Sequence, residues 1–362
     1  MIKKKLAIVG IVGVPANYGG FETLVEYLLD MLPEFYDITI YCQSHSYSHK
    51  PDIYKGAKLR YLNLKANGVQ SVIYDSVSLW KSVKGFDYIL ILGISGAITI
   101  PMIRPFTDAK IVTHIDGLEW KRDKWGFFAK RFLKFSEALA VRFSDAVISD
   151  NKHIYDYVQQ EYGKDSHLIA YGANHANYVD PSPYKRKYSF ITSPYIFTVC
   201  RIEPENNIEM QLEVFSENEL SIPYVIVGNW NASEYGMRLY EKYSTKDNVI
   251  LYNPIYTSDE INVLRSNCHY YLHGHSAGGT NPSLVEAMYL GLPIIAFGVN
   301  YNRETTFNKA IYFKDSKELL EQLLRLEEFD REAISKNMYK LARKNYSWKA
   351  INKQYVKMLK SI

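Results

Sequence analysis

Short apolar runs, each followed by an amphipathic stretch, alternate through almost all of the 362 residues of this chain. Four to eight apolar residues bounded by turn formers read as a buried strand, and the stretches between them as covering helices. The alternation therefore predicts βαβ units on parallel sheets. In the first half the runs fall at residues 6–12, 38–42, 59–62, 88–92, 110–114, 146–149 and 167–170, with helical patterns such as 21–31 and 154–162. Around residues 174–193 the period fails among Pro181, Pro183 and several Tyr and Lys residues, closing at Pro194, which reads as a linker. A second series follows at 195–199, 224–227, 249–251, 270–273 and 293–297. A chain of this length exceeds one ordinary core. The expected fold class is α/β, with one Rossmann-like parallel-sheet domain over residues 1–180 and another over 190–345. Residues 346–362 close the chain as a helix, because Trp348, Ile351, Tyr355 and Met358 recur at spacings of three or four.

Composition narrows the class further. A hydrophobic fraction of 47% with 23% charged residues is that of a globular protein. Cys42, Cys200 and Cys268 lie far apart, which fits neither a disulfide framework nor a structural zinc site and points to a reducing cytoplasm. Met1-Ile2-Lys3-Lys4-Lys5 opens like a signal peptide, but Gly10 and Gly13 interrupt the apolar run behind it and no cleavage site follows. No run approaches the ~20 apolar residues that span a bilayer, so the chain is not expected to be integral to a membrane. The net charge of +4 is too small by itself to imply nucleic acid.

Glycine-rich turns carry the candidate chemistry. The first runs from Gly10 through Gly13 to Gly19-Gly20-Phe21-Glu22, where backbone N–H groups at a helix start suit a phosphate; strand exit or a simple turn would use the same glycines. A dinucleotide fold would want Gly-x-Gly-x-x-Gly and an acidic end to the second strand. The chain has neither, which sets hydride transfer aside. In the second half the run at 195–199 leads into Arg201, Glu203, Glu205, Asn206 and Asn207. An arginine at the carboxyl end of a parallel strand presents a planar fork of donors to a diphosphate, against the plainer alternative of an ion pair with Glu203 or Glu205. Further on, His273-Gly274-His275-Ser276-Ala277-Gly278-Gly279-Thr280-Asn281-Pro282 opens a helix and makes a second anion site. Glu286, one turn in, can accept from ribose hydroxyls or merely serve the helix dipole. His273 and His275 have no third ligand nearby in sequence, so no metal is expected.

These strings resemble the retaining glycosyltransferases of family four, of GT-B fold. The likeness rests on Arg201 to Asn207 and on Pro-Ser-Leu-Val-Glu-Ala-Met-Tyr-Leu-Gly-Leu-Pro over residues 282–293, with Gly19-Gly20-Phe21-Glu22 and Thr113-His114-Ile115-Asp116-Gly117 in the first half. Tyr-Gly-Gly-Phe-Glu, His-Ile-Asp-Gly-Leu-Glu-Trp and Gly-Gly-Thr-Asn-Pro-Ser-Leu-Val-Glu-Ala-Met are similar to a bacterial subgroup of rhamnosyltransferases of surface-polysaccharide assembly. The resemblance implies an acceptor-side first domain, a donor-binding second domain, a cleft between them and a last helix that crosses back to the first. It places the donor on Gly19, Gly20, Arg201, Asn206, Asn207, Gly278, Gly279, Thr280, Asn281 and Glu286. His114 and Asp116 join Arg201 at the reacting sugar. The nucleotide sugar is a substrate, and neither cofactor nor metal is implied. Two positions depart from the family: Asn206 and Asn207 stand where a lysine is usual, and Gly278 stands where the first of two glutamates falls.

A basic aromatic segment remains. Over residues 121–143, Lys121, Arg122, Lys124, Lys130, Arg131, Lys134 and Arg142 face Asp123 and Glu137, a balance of 7 − 2 = +5. Trp125, Phe128, Phe132, Phe135 and Leu139 form a helical stripe within it. The stripe either packs on the sheet or meets anionic headgroups or a lipid diphosphate acceptor, with Lys124, Trp125, Lys130, Arg131 and Lys134 on that side. No nucleic-acid module is present. The expected activity is transfer of a sugar, L-rhamnose from dTDP-rhamnose, to a saccharide acceptor that is lipid-diphosphate-linked, in the cytoplasm or on the inner face of the plasma membrane. The rivals are a nucleotide-sugar epimerase using His114, Asp116 and Glu119, and a non-catalytic binding module.

Overall fold

The computed structural model describes residues 3–16, 19–68, 70–115, 117–122 and 125–362. Asp116 and Lys124, both named above, lie outside the described residues. The chain forms two compact units. One comprises Met1–Lys121, Trp125–Tyr171 and Trp348–Ile362, the other Arg122–Lys124 and Gly172–Ser347.

The first unit is built on β1 (Lys4–Val9), β2 (Tyr36–Gln43), β3 (Ile53–Tyr54), β4 (Ala57–Leu62), β5 (Tyr88–Leu92), β6 (Lys110–Ile115), β7 (Ala146–Ser149) and β8 (His167–Leu168), with α1 (Gly20–Leu28), α2 (Gln70–Lys81), α3 (Ile100–Ile103), α4 (Phe127–Phe143) and α5 (Lys152–Tyr162). The sheet order is β3-β4-β2-β1-β5-β6-β7-β8, parallel except for the β3–β4 pair. All five residues of β5 are buried, as expected of a strand covered on both faces. β1 stops at Val9, short of the run at 6–12, because Gly10 takes φ +92° and a side chain there would sit 2.3 Å from the Leu92 carbonyl oxygen.

The second unit carries β9 (Ile196–Val199), β10 (Tyr224–Val227), β11 (Val249–Tyr252), β12 (Tyr270–His273), β13 (Ile294–Phe297) and β14 (Ile311–Phe313). Its helices are α6 (Ile208–Glu217), α7 (Glu234–Tyr243), α8 (Ser258–Ser266), α9 (Pro282–Tyr289), α10 (Asn300–Thr305), α11 (Ser316–Leu324) and α12 (Arg331–Asn345). The strands are parallel in the order β11-β10-β9-β12-β13-β14. Side-chain caps start several helices: Ser233 for α7, Asn281 for α9, Asp315 for α11 and Asp330 for α12. The stretch expected as a linker is instead a strap packed on this unit. Val179 N–H donates to Ser266 Oγ at 3.2 Å, its carbonyl accepts from Asn267 at 2.9 Å, and Tyr188 donates to Glu260 at 2.5 Å.

The last helix, α13 (Trp348–Ser361), belongs to the first unit. Trp348 stacks on Tyr27 with ring centroids 4.7 Å apart, and Asn352 donates to the Tyr27 carbonyl at 2.9 Å. The expected aromatic stripe divides: Trp125, Phe132 and Leu139 are half-buried, and the other two rings are not. Helix α4 buries Leu133, Ser136, Glu137, Ala140 and Val141, while Phe128 is 86% exposed and Phe135 also faces solvent. No helix among the described residues is long and apolar enough to cross a membrane.

Candidate functional site

Both sheets reverse direction of growth at an interior strand pair, and such a switch point leaves a crevice beyond the carboxyl ends of the strands where ligands bind. In the second unit that pair is β9 and β12. Arg201 lies two residues beyond β9, and the loop from Gly274 to Asn281 follows β12 directly. The residues singled out in the second half of the sequence therefore converge on one sheet end.

The two loops are stitched together by their polar groups. Asn207 adopts the left-handed region at φ 52°, one of the few residue types that does so at low cost, and donates to the Gly274 carbonyl at 2.8 Å. Asn206 donates to the Arg201 carbonyl at 2.8 Å, and its Oδ1 meets His275 Nδ1 at 2.7 Å. Gln211 donates to the carbonyls of Asn206 and Asn207. The amides of Asn206 and Asn207 thus hold the loop after β9 against the loop after β12. Gly274 is required by contact: a Cβ there would lie 1.9 Å from Gln211 Nε2 and 2.3 Å from the Asn206 carbonyl oxygen. Gly278 takes φ +120°, Gly279 and Thr280 are buried, and Asn281 caps α9 by accepting from Ser283 N–H at 3.0 Å.

Three charged groups surround this loop. The Arg201 guanidinium is exposed and 3.3 Å from Glu203, so the plain ion pair exists but leaves the fork on the surface. Glu205 is buried beside Arg122 at 3.5 Å, and burial raises its pKa. Glu286 is 8% exposed, with Arg265 Nη2 2.6 Å from one oxygen and His175 Nε2 2.9 Å from the other. Burial alone would neutralise it, yet Arg265 and His175 outweigh that effect and hold the carboxyl below its usual pKa. Arg265 and His175 were missed in the sequence. Neither sits in a glycine-rich string, and only their spacing from Glu286 in the fold reveals them. His273 and His275 sit 6.0 Å apart ring to ring and are kept neutral by burial, His273 with its pKa pushed down to about 3.

In the first unit the switch point lies between β1 and β5. Gly19 caps α1, which begins at Gly20. Glu22 accepts from Val12 N–H at 2.8 Å and ties this turn to the strand behind it. Gly13 takes φ +138°, and a Cβ there would meet Cys42 at 2.8 Å, so Gly10 and Gly13 shape the backbone. His114, next to last in β6, is fully buried, its Nδ1 2.9 Å from Tyr355 Oη and its Nε2 with no hydrogen-bond partner among the described residues. Burial drives its pKa down to about 3, so the ring is neutral and offers one unused nitrogen. Beside it, Gly93 N–H donates to the His114 carbonyl at 3.0 Å. Asp75, also missed in the sequence, accepts from Ser95 at 2.5 Å in the loop after β5, and burial raises its pKa to about 7.

The basic residues of the first unit divide. Lys134 is held by Glu137, Glu161 and the Tyr157 hydroxyl among the rings of Trp120, Tyr157 and Tyr162. Trp125 donates to Glu119 at 3.0 Å. Lys130 is half-buried, and Arg131 is exposed, stacked over Phe127.

Residues 184–344 match the model of the glycosyl transferases group 1 family, and residues 3–174 match a domain of unknown function, DUF1972. No curated protein matches the chain in sequence. Solved structures do match in fold. Sucrose-phosphate synthase from Thermosynechococcus elongatus superposes with a TM-score of 0.83 at 15% identity, over 99% of both chains. Anabaena HepE, in complex with UDP-glucose, gives 0.77 at 15% over 99% of this chain and 100% of the other. An α,α-trehalose 6-phosphate synthase from Burkholderia multivorans gives 0.74 at 11% over 100% and 97%. The fold is that of the GT-B glycosyltransferases, and the residues that match the glycosyl transferases group 1 model lie in the second unit.

Proposed function

We propose, from a chain that carries a glycosyl transferases group 1 domain on a GT-B fold, that this protein transfers a sugar from a nucleoside diphosphate donor to a saccharide acceptor. The observation that supports this best is the β9/β12 switch point, where an exposed arginine, a glycine loop at a helix start and a buried ionised glutamate share one sheet end. Arg201 and the N–H groups of the Gly278–Asn281 loop take the diphosphate, and Glu286 accepts from ribose hydroxyls. The neutral His114 donates from Nε2 to a hydroxyl of the transferred sugar. That HepE has been seen with UDP-glucose agrees with a nucleotide-sugar donor.

The reaction breaks the bond between the anomeric carbon and the β-phosphate oxygen, and the electron pair leaves with the nucleoside diphosphate. The acceptor oxygen forms the new bond on the same face, with retention, and its proton passes to the departing phosphate. Charge grows on that phosphate, where Arg201 and fixed N–H dipoles meet it without a metal. The donor we propose is dTDP-L-rhamnose and the acceptor a lipid-diphosphate-linked saccharide of bacterial surface polysaccharide, met in the cytoplasm. Incubation with dTDP-, UDP- and GDP-sugars tests this reading. Nucleoside diphosphate released only when acceptor is present supports it; a changed sugar isomer, or binding without turnover of any donor, overturns it.

A further inference from the structure

We infer that the outward face of α2, α3 and α4 in the first unit docks on an anionic lipid bilayer. These helices pack side by side on one face of the eight-stranded sheet, α2 against α3 and α3 against α4. Each leaves large apolar side chains in solvent: Ile73 and Trp80 on α2, Met102 on α3, and Phe127, Phe128 and Phe135 on α4. Trp80 extends this surface by meeting the exposed Phe106 at 6.1 Å. Single exposed apolar residues are ordinary, but a run of them across three neighbouring helices marks an interaction surface.

Charge selects the partner. The only carboxylates on the three helices, Asp75 and Glu137, are buried, whereas Lys81, Arg131 and Arg142 are exposed. The three helices thus bring phenyl, indole and cationic groups to the surface and no exposed acid of their own. Helix α13 supplies the contrast. It too lacks acidic residues and exposes Lys349, Lys353, Lys357 and Lys360, yet its large apolar side chains from Trp348 to Leu359 are buried. Cations beside exposed aromatic side chains suit an interface where rings enter the headgroup layer and lysine and arginine meet lipid phosphates. On helix α4 the expected stripe and its basic margin coincide: Phe128, Arg131, Phe135 and Arg142 recur at spacings of three, four and seven. For its purpose the docking rests on the lipid-linked acceptor proposed above, although binding itself needs neither donor nor acceptor.

Co-sedimentation of the full chain with lipid vesicles tests it. The wild type should partition onto vesicles containing phosphatidylglycerol, bind phosphatidylcholine vesicles much more weakly, and be released by salt, with roughly a fivefold loss for each cation removed. The double variant F128E/F135E should lose binding at least about tenfold. It should keep its thermal unfolding temperature and its transfer to a soluble acceptor, and R142E should lose part of the binding. Leu324→Glu, on an exposed leucine of the second unit, should change nothing. Equal binding by F128E/F135E and wild type, or equal binding to neutral and anionic vesicles, overturns the proposal. So does a concentration-dependent dimer in light scattering that F128E/F135E abolishes, because the face would then belong to a second copy. Failure of vesicle binding with transfer intact rejects this surface alone; failure of transfer with vesicle binding intact rejects the donor-site reading alone.

Discussion

Glu286 keeps its charge inside the second unit because Arg265 and His175 together exceed the cost of its burial. Removing one partner of such an array leaves the other charge buried and uncompensated. Arg265→Met should therefore cost about 3–5 kcal/mol in urea unfolding, whereas Glu286→Gln, which preserves shape, should cost less and act on donor KM. His114 gives a pH test. Its unfolded imidazole takes up a proton near 6.5 and its folded one only near 3. Its contribution to stability is thus fully present above pH 6.5 and is lost as pH falls through that window. The stability advantage of wild type over His114→Asn should shrink by up to about 2 kcal/mol between about pH 7 and pH 5. The pH–rate profile should show no limb from this residue near pH 6.5, since the ring stays neutral throughout. Glycine strings and the lone Arg201 were visible in the sequence because each departs from its local pattern. Arg265 lies in an ordinary amphipathic helix and His175 in an irregular strap, and nothing local marks either as a partner of Glu286.

At the scale of elements, the joint between the loops after β9 and β12 is the most exacting feature of the second unit. Gly274→Ala places a methyl group against Gln211 and the Asn206 carbonyl. This change should lower the unfolding temperature and weaken donor binding together, because the backbone that would hold the diphosphate must shift. Thermal unfolding and calorimetry on the same sample check both. Strands were the legible part: Tyr88–Leu92, Ala146–Ser149, Tyr224–Val227 and Tyr270–His273 coincide with apolar runs to the residue. The two-residue β3 and three-residue β14 were not, since so few residues carry no period. Helix α4 shows the limit of amphipathic reasoning. Its period was correct, but the packed side is made of Leu133, Ala140, Val141 and a glutamate hydrogen-bonded to Tyr157 and Tyr162, while Phe127, Phe128 and Phe135 face water. Periodicity identifies a face; which face is buried depends on what the neighbouring elements can accommodate.

For the whole molecule, two switch-point sheets put each unit's glycine turns at the carboxyl ends of its own strands, and the last helix returns to the first unit through Trp348, Asn352 and Tyr355. The alternation of runs made that doubled architecture readable without a structure, whereas the unit boundaries depended on a strap whose tertiary contacts have no sequence signal. The central claim is that a donor's diphosphate is held at the end of β9 by Arg201. Calorimetric titration of wild type and Arg201→Ala with dTDP-, UDP- and GDP-sugars tests it most directly. The account predicts that at least one donor binds the wild type and binds the variant about 10–100-fold more weakly, the worth of a charged hydrogen-bond pair, with the unfolding temperature unchanged. Equal affinity of the two proteins for that donor would contradict it.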